Sequence, residues 1–318
     1  MCKKIYHKPV MAEEVIKSLN LTGGCKIIDG TVGEGGHSLL IASKIAPSGL
    51  LIGIDKDVDN IKVSQSRLSS ENLEFRLFCD SYSNIKKIMR KMSIKAVNGV
   101  LLDLGFSMRH IKHSGRGFTF LNSESLDMRY NTNTGIPAHD WLNKAHAAEI
   151  ANVLWTYGQE RESRSISEAI VYHRSKRQIH TSKQLADIIL YAKRKSSKKI
   201  HPATKSFQAI RIYINNELDE LKTGLEESIR ILLPGGRLSV LTYHSIEDRI
   251  VRDFMLKYAG KCLCPSGFPV CKCGAGDRHP RVRILKKYGS RPGPEEVIAN
   301  KSSRSAHLRV CEVMNDEQ

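Results

Sequence analysis

The chain has 318 residues, 41% hydrophobic and 26% charged, the balance of a soluble globular protein with a sizeable core. Fifty lysines and arginines against 33 acids leave a formal charge of +17, a surplus that attracts polyanions and points to a nucleic-acid partner. No apolar run approaches the roughly 20 residues of a bilayer span, and Glu13 and Glu14 follow the basic start too soon for a secretory signal, so the eight cysteines read as reduced thiols of a cytoplasmic protein without a membrane partner.

In chain order, apolar positions at helical spacing (Val10, Val15, Ile16, Leu19) predict a helix over residues 10–20. Residues 26–29 read as a short buried strand ending in Asp29, residues 30–36 as a glycine-rich turn, and residues 38–45 as the following helix. A second strand spans 50–55 and ends in Asp55. A third, over 72–78, is followed by Asp80, and a fourth, over 97–104, carries Asp103 near its end. Four strands, each with an acid at its carboxyl edge, suit an open α/β sheet, which binds ligands outside that edge.

Residues 106–135 are rich in Gly, Ser, Asn and Arg without a sustained period and predict a long ordered loop. Helices are expected over 138–153, 160–173 and 184–191, the last announced by a Thr181/Gln184 capping box. Residues 193–205 form a basic tract. A further helix over 207–233 runs up to the stop signal Pro234-Gly235-Gly236. A strand over 237–242, a helix over 246–258 and strands at 282–286 and 307–313 complete the chain. The pattern describes one doubly wound sheet, residues 1–117 and 206–318, interrupted by a helical, basic domain over 118–205 suited to nucleic-acid recognition.

Glycines 33, 35 and 36 allow positive φ and close approach of a ligand to bare backbone. Gly33 and Gly35 fit the first two positions of G-x-G-x-x-G, but Ser38 takes the third, so the turn suits adenosylmethionine, which has no pyrophosphate, better than a dinucleotide. Asp55, at the next strand end, is placed to accept hydrogen bonds from ribose hydroxyls, a role shared by both cofactors. Tyr82 reads either as an aromatic lying against adenine or as ordinary packing, and Asp80 as an acceptor for the adenine amine. Asp103-Leu104-Gly105 ends the fourth strand, beside the point where the sheet reverses direction.

At these residues the sequence resembles the bacterial ribosomal RNA small-subunit methyltransferase H family over nearly its whole length. The matching motifs are Asp29-Gly30-Thr31 with Gly33 and Gly35-Gly36-His37, Leu101-Leu102-Asp103-Leu104-Gly105, Arg116-Gly117-Phe118, Leu126-Asp127-Met128-Arg129 and Tyr157-Gly158-Gln159-Glu160-Arg161. His201-Pro202-Ala203-Thr204 with Phe207-Gln208-Ala209, Pro234-Gly235-Gly236-Arg237-Leu238, and His244-Ser245-Ile246-Glu247-Asp248-Arg249 continue the set. The resemblance implies the Rossmann-like sheet of a class I methyltransferase with an inserted helical domain. It implies S-adenosyl-L-methionine as donor and N4-methylation of a cytidine in the decoding region of 16S ribosomal RNA. Cofactor contacts would fall on Gly35, Gly36, His37, Asp55, Tyr82 and Asp103. A further family contact is a glutamine, and His110 stands in its place.

The N4 lone pair of cytosine is delocalised into the ring, so the site must orient the amine and accept a proton as charge develops. Asp103 is the first candidate for that acceptor, with His244 and Asp248 as alternatives. His244 reads equally as a helix cap, and Asp248 as a partner of Arg249 or Arg252. Arg116, Arg129, Arg174, Lys176, Arg177 and the 193–205 tract are candidates for RNA phosphates. Phe118 and Phe120 are either base-stacking residues or anchors of their loop. Cys262-x-Cys264 and Cys271-x-Cys273 depart from the C-x₂₋₄-C spacing of structural zinc sites, so the sequence assigns no metal. Two rival readings remain. One is an RNA-binding ribosome-assembly factor of the same fold that has lost catalysis. The other is a DNA amino-methyltransferase, although Asp103-Leu104-Gly105-Phe106 lacks the paired prolines of those enzymes, so DNA is not the expected partner.

Overall fold

A computed structural model describes residues 8–193, 201–264, 271–274, 279–287 and 289–315. The chain divides into two units, Met1–Phe106 with Asp219–Gln318, and Ser107–Leu218.

The first unit is a seven-stranded sheet. Its strands are β1 (Lys26–Asp29), β2 (Leu50–Asp55), β3 (Glu74–Cys79), β4 (Val97–Asp103), β5 (Leu232–Thr242), β6 (Val282–Ile284) and β7 (His307–Val313), in the order β3-β2-β1-β4-β5-β7-β6. The first five neighbours run parallel. β7 is antiparallel to β5, and β6 to β7. The chain moves from β1 outward to β2 and β3, then returns to place β4 on the other side of β1. The crevice at the carboxyl ends of β1 and β4 is therefore the topological switch point.

Side-chain alternation divides the core between the two faces of this sheet. Ile27, Leu51 and Leu101 face one way, onto α1 (Ala12–Leu19) and α2 (Gly36–Ile45), through Val15, Leu19, Ile41 and Ile45. Ile28, Ile52, Val100 and Leu102 face the other way, onto α4 (Ile85–Lys91), α11 (Glu217–Ile231) and α12 (Ser245–Tyr258), through Ile88, Leu225, Ile229 and Val251. Burial on both faces is why the central strands are continuous apolar runs. Helix α3 (Val58–Leu68) follows β2 and is capped by Asp57, whose side chain accepts from the Asp59 amide.

The second unit is helical: α5 (Met108–Lys112), α6 (Ala138–Lys144), α7 (Ala147–Gly158), α8 (Ser163–Lys176), α9 (Ser182–Ala192) and α10 (Thr204–Asn215). Its core includes Leu126, Trp141, Ile150, Leu154, Ile170, Ile189, Phe207 and Ile210. The Thr181/Gln184 capping box forms as the sequence indicates.

Four expectations change. The inserted unit is wider than 118–205, because the 107–117 segment and α10 pack within it. The Asp127 and Met128 amides donate to the Arg116 carbonyl, and Asn215 bonds the Tyr130 amide and the Met128 carbonyl. The helix expected over 138–153 is two, broken where Ala145 turns extended and His146 caps α7. The helix expected over 207–233 is also two, broken at Asn216, which adopts φ 51° and donates its amide to Ile212 and Tyr213. Asparagine tolerates that left-handed conformation, and apolar periodicity does not register a one-residue break. The 106–135 loop contains one short helix, α5.

Candidate functional site

The glycine-rich turn joins β1 to α2. Gly33 and Gly35 take φ of 53° and 77° there, values that disfavour a side chain. A Cβ at Gly30 would lie 2.6 Å from the Leu102 side chain and 3.1 Å from Tyr82, so the backbone approaches its neighbours as no other residue could. Asp29 ends β1 fully buried, accepting from Ser38 Oγ at 2.6 Å and the Thr31 amide at 3.2 Å. Burial outweighs both bonds and raises its carboxyl to about 6. Asp55 ends β2 with Oδ2 accepting the Gly33 amide and Oδ1 the Asp57 amide, both at 2.8 Å, while Asn60 Nδ2 lies 3.3 Å from each oxygen. The carboxylate is thereby fixed beside the turn. Tyr82 opens a 3-10 turn after β3, and its half-buried ring rests on Gly224 of α11, where a Cβ would lie 2.4 Å away.

Asp103 ends β4 with its amide donating to Thr31 Oγ1 at 2.6 Å. Its Oδ1 accepts the Tyr243 hydroxyl at 2.7 Å, and its Oδ2 lies 3.5 Å from His37 Nε2. Burial, then the adjacent Asp103 charge, pushes the Tyr243 phenol well above its ordinary value, so it remains a proton donor. His37 lies in the first turn of α2, 6% exposed, and among the described residues neither of its buried ring nitrogens has a hydrogen-bond partner. The turn, Asp55, Tyr82, His37, Asp103 and Tyr243 thus come from five successive strand ends at the carboxyl edge of one sheet.

A model of the MraW methylase family matches residues 4–314. The chain belongs to this family. Among similar proteins, the ribosomal RNA small subunit methyltransferase H of Syntrophus aciditrophicus is 40% identical over 312 residues, covering 98% of each chain. The enzyme of the same name from Pelobacter propionicus is 41% identical over 310 residues, 96% of this chain and 98% of the relative. The protein is a methyltransferase whose donor is S-adenosylmethionine. The residues present fit that donor: a glycine turn with positive φ at Gly33 and Gly35, carboxylates at the ends of β2 and β4, and a buried imidazole without a hydrogen-bond partner in the first turn of α2.

Several residues singled out in the sequence have other work in this methylase. Asp80 braces the turn after β3, accepting the Ser81 amide and Asn84 Nδ2 at 2.7 Å each. His244 caps α12, with Nδ1 accepting the Glu247 amide at 3.4 Å and Nε2 lying 2.9 Å from Glu247 Oε1. Asp248 pairs with neither Arg249 nor Arg252. Arg309 Nε and Nη2 donate to it at 2.6 and 2.9 Å, and His307 Nδ1 lies at 2.8 Å. Burial works to raise the Asp248 carboxyl, but these partners overcome it and hold the group below the usual range. The partner sits 61 residues away in β7, beyond the reach of local sequence reading.

In the helical unit, His110 is 3% exposed, accepts the Ser107 amide on Nδ1 at 3.0 Å, and packs on Phe118 and Tyr130 at 4.8 and 5.1 Å. Its contacts are those of a capping and packing residue of that unit. Phe118 stacks on Tyr130, and Phe120 on His201 at 4.3 Å, so both anchor their loop. Arg116 donates to the Arg129 and Tyr130 carbonyls, Arg129 is bidentate to Asp127 at 2.7 and 2.8 Å, and Arg174 donates to the Leu142 carbonyl. Within the basic tract, Lys193 bonds the buried Glu160 at 2.7 Å, and residues 194–200 lie outside the described residues.

The sequence reading missed Tyr243; its only signal was an aromatic just past the β5 end. It also missed two exposed tyrosines at the carboxyl ends of α8 and α9: Tyr172, with Lys176 Nζ 4.2 Å over its ring, and Tyr191, 79% exposed.

Proposed function

We propose that this methylase transfers the methyl group to the N4 amine of a cytidine in the decoding region of 16S ribosomal RNA, within the small ribosomal subunit. The observation that carries the reading is Asp103, an acceptor held by the Tyr243 hydroxyl beside His37 at the switch point of a methyltransferase sheet, in a chain similar to enzymes named for the small-subunit ribosomal RNA. Gly35, Gly36 and His37 would hold the methionine end of the donor, where the first turn of α2 leaves amides without intrahelical acceptors. Asp55 would receive the ribose hydroxyls, and Tyr82 would lie against the adenine. The donor supplies an electrophilic methyl on a sulfonium leaving group. Asp103 would accept a hydrogen bond from the N4 amine, which turns the nitrogen lone pair toward the methyl, and would take up the N4 proton as the nitrogen is alkylated. Tyr243, kept protonated, holds the Asp103 carboxylate in that orientation.

The RNA reading rests on the +17 charge together with Tyr172, Tyr191, Lys176 and Arg177, aromatic and cationic groups suited to unpaired bases and phosphates. Mass spectrometry of ribosomal nucleosides from strains with and without the gene tests the assignment. N4-methylcytidine should disappear from 16S RNA in the deletion and return when the purified enzyme acts on deletion-strain small subunits. An unchanged nucleoside profile, or preferential labelling of duplex DNA, would reject it.

A further inference from the structure

Among the described residues, one group of soft metal ligands lies outside the methylation site. Cys262, Cys264, Cys271 and Cys273 follow α12 and precede β6, and their four Sγ atoms all lie within 4.8 Å of one another. Cys262 is 3.6 Å from Cys271 and 3.7 Å from Cys273, and Cys271 is 3.4 Å from Cys273. A disulfide would bring two sulfurs to about 2.05 Å. Four thiolates at about 2.3 Å around one tetrahedral zinc ion stand about 3.8 Å apart along each edge. The observed separations match the second figure.

Among the described residues of this segment, no buried core accounts for the convergence. Its described residues, 259–264 and 271–274, contain no buried apolar side chain, so no local core gathers them. Two amides also point at the sulfurs, Leu263 N–H to Cys273 at 3.3 Å and Cys264 N–H to Cys262 at 3.4 Å. Such donors stabilise negative charge on the ligands and orient them. The C-x-C spacing argued against a metal in the sequence, yet the fold brings all four sulfurs within 4.8 Å of one another.

We infer that Cys262, Cys264, Cys271 and Cys273 bind one structural Zn²⁺ as a Cys₄ site that closes the connection between α12 and the edge strand β6. Binding releases the thiol protons to solvent and leaves a centre of net charge −2, next in sequence to Lys261 and Lys272. With four protein ligands and no open position, the site is structural, not hydrolytic. The inference rests on the thiols alone and is independent of the RNA base that is methylated.

Metal analysis of the untagged full chain, purified under reducing conditions, should give about one zinc per chain. Cobalt exchanged into the site should show thiolate-to-metal charge transfer and the intense visible bands of a tetrahedral ion. Cys264→Ser with Cys273→Ser should lower the zinc content about tenfold or more, while Cys264→His, which keeps a fourth ligand, should retain it. Donor binding by the serine variant, measured by calorimetry, reports whether the sheet remains folded. The inference fails if zinc offered in excess does not bind, if iron occupies the site instead, if the four cysteines are isolated as disulfides, or if zinc persists in the folded serine variant.

Discussion

Tyr243, just past the end of β5, and Asp103, at the end of the adjacent β4, are 140 residues apart in sequence, and their 2.7 Å bond couples a phenol to the proposed amine acceptor. A hydrogen bond to a charged group contributes about 1.5–3 kcal/mol, and each 1.4 kcal/mol is tenfold in rate. Tyr243→Phe should therefore lower kcat by about 10- to 100-fold while changing donor affinity little, which single-turnover methyl transfer and calorimetry would separate. Comparable losses in both would make Tyr243 part of the donor pocket instead. Asp29 permits a second test at this scale. Its carboxyl is raised by burial from 3.8 to about 6, so between those values the native chain holds a proton that the unfolded chain has released. Stability contributed by the protonated form is complete below pH 3.8 and is lost as pH rises through 6, with a slope near 1.4 kcal/mol per pH unit. Asp29→Asn should remove about 2–3 kcal/mol of that decline across the window, read from urea unfolding at pH 4 and pH 7. Parallel stability profiles for the two proteins would show that Asp29 titrates normally.

At the scale of elements, the glycine in α11 ties the helix to the site. Glycine within a helix is about 1 kcal/mol less favourable than alanine, so Gly224→Ala should stabilise unless the space is taken. The Tyr82 ring occupies it, 2.4 Å from where the new Cβ would stand. The substitution should lower thermal stability and weaken adenosylmethionine binding together, because relief requires Tyr82 to move. A stabilised variant with unchanged donor affinity would show that Tyr82 has room to spare. Elements also mark where sequence reading succeeded. Strands β1, β2 and β4 carry apolar runs buried on both faces and an acid at one end, a pattern that depends only on neighbours in sequence. The breaks at Ala145 and Asn216 were not legible, because the same apolar period continues across each and only packing against other helices requires the turn.

For the molecule as a whole, +17 makes polyanion binding the dominant long-range interaction. Methyl transfer should weaken steeply as salt rises, since each neutralised phosphate releases counterions. Lys193 belongs to an ion pair with Glu160 and is left intact in the test. Replacing Arg194, Lys195, Lys198 and Lys199 with glutamine should raise KM for RNA and flatten the log–log salt dependence by up to about three units, at roughly 0.7 per phosphate. Donor affinity should stay unchanged. Wild-type kinetics and salt response in this variant would remove the tract from the RNA-binding surface.

Sequence alone determined the alternation of strands and helices, the helical interruption, the glycine turn and the acids at successive strand ends, because period, turn chemistry and charge are local properties written residue by residue. It left open which of the singled-out residues meets which partner. Asp80 braces its turn and His244 caps α12 through local contacts, whereas Asp248 was claimed by Arg309 and Asp103 gained Tyr243, through contacts that exist only once distant strands lie side by side. The four thiols follow the same logic: their spacing argued against a metal, and only the folded backbone, which sets distances that residue numbers do not, brought them within reach of one ion.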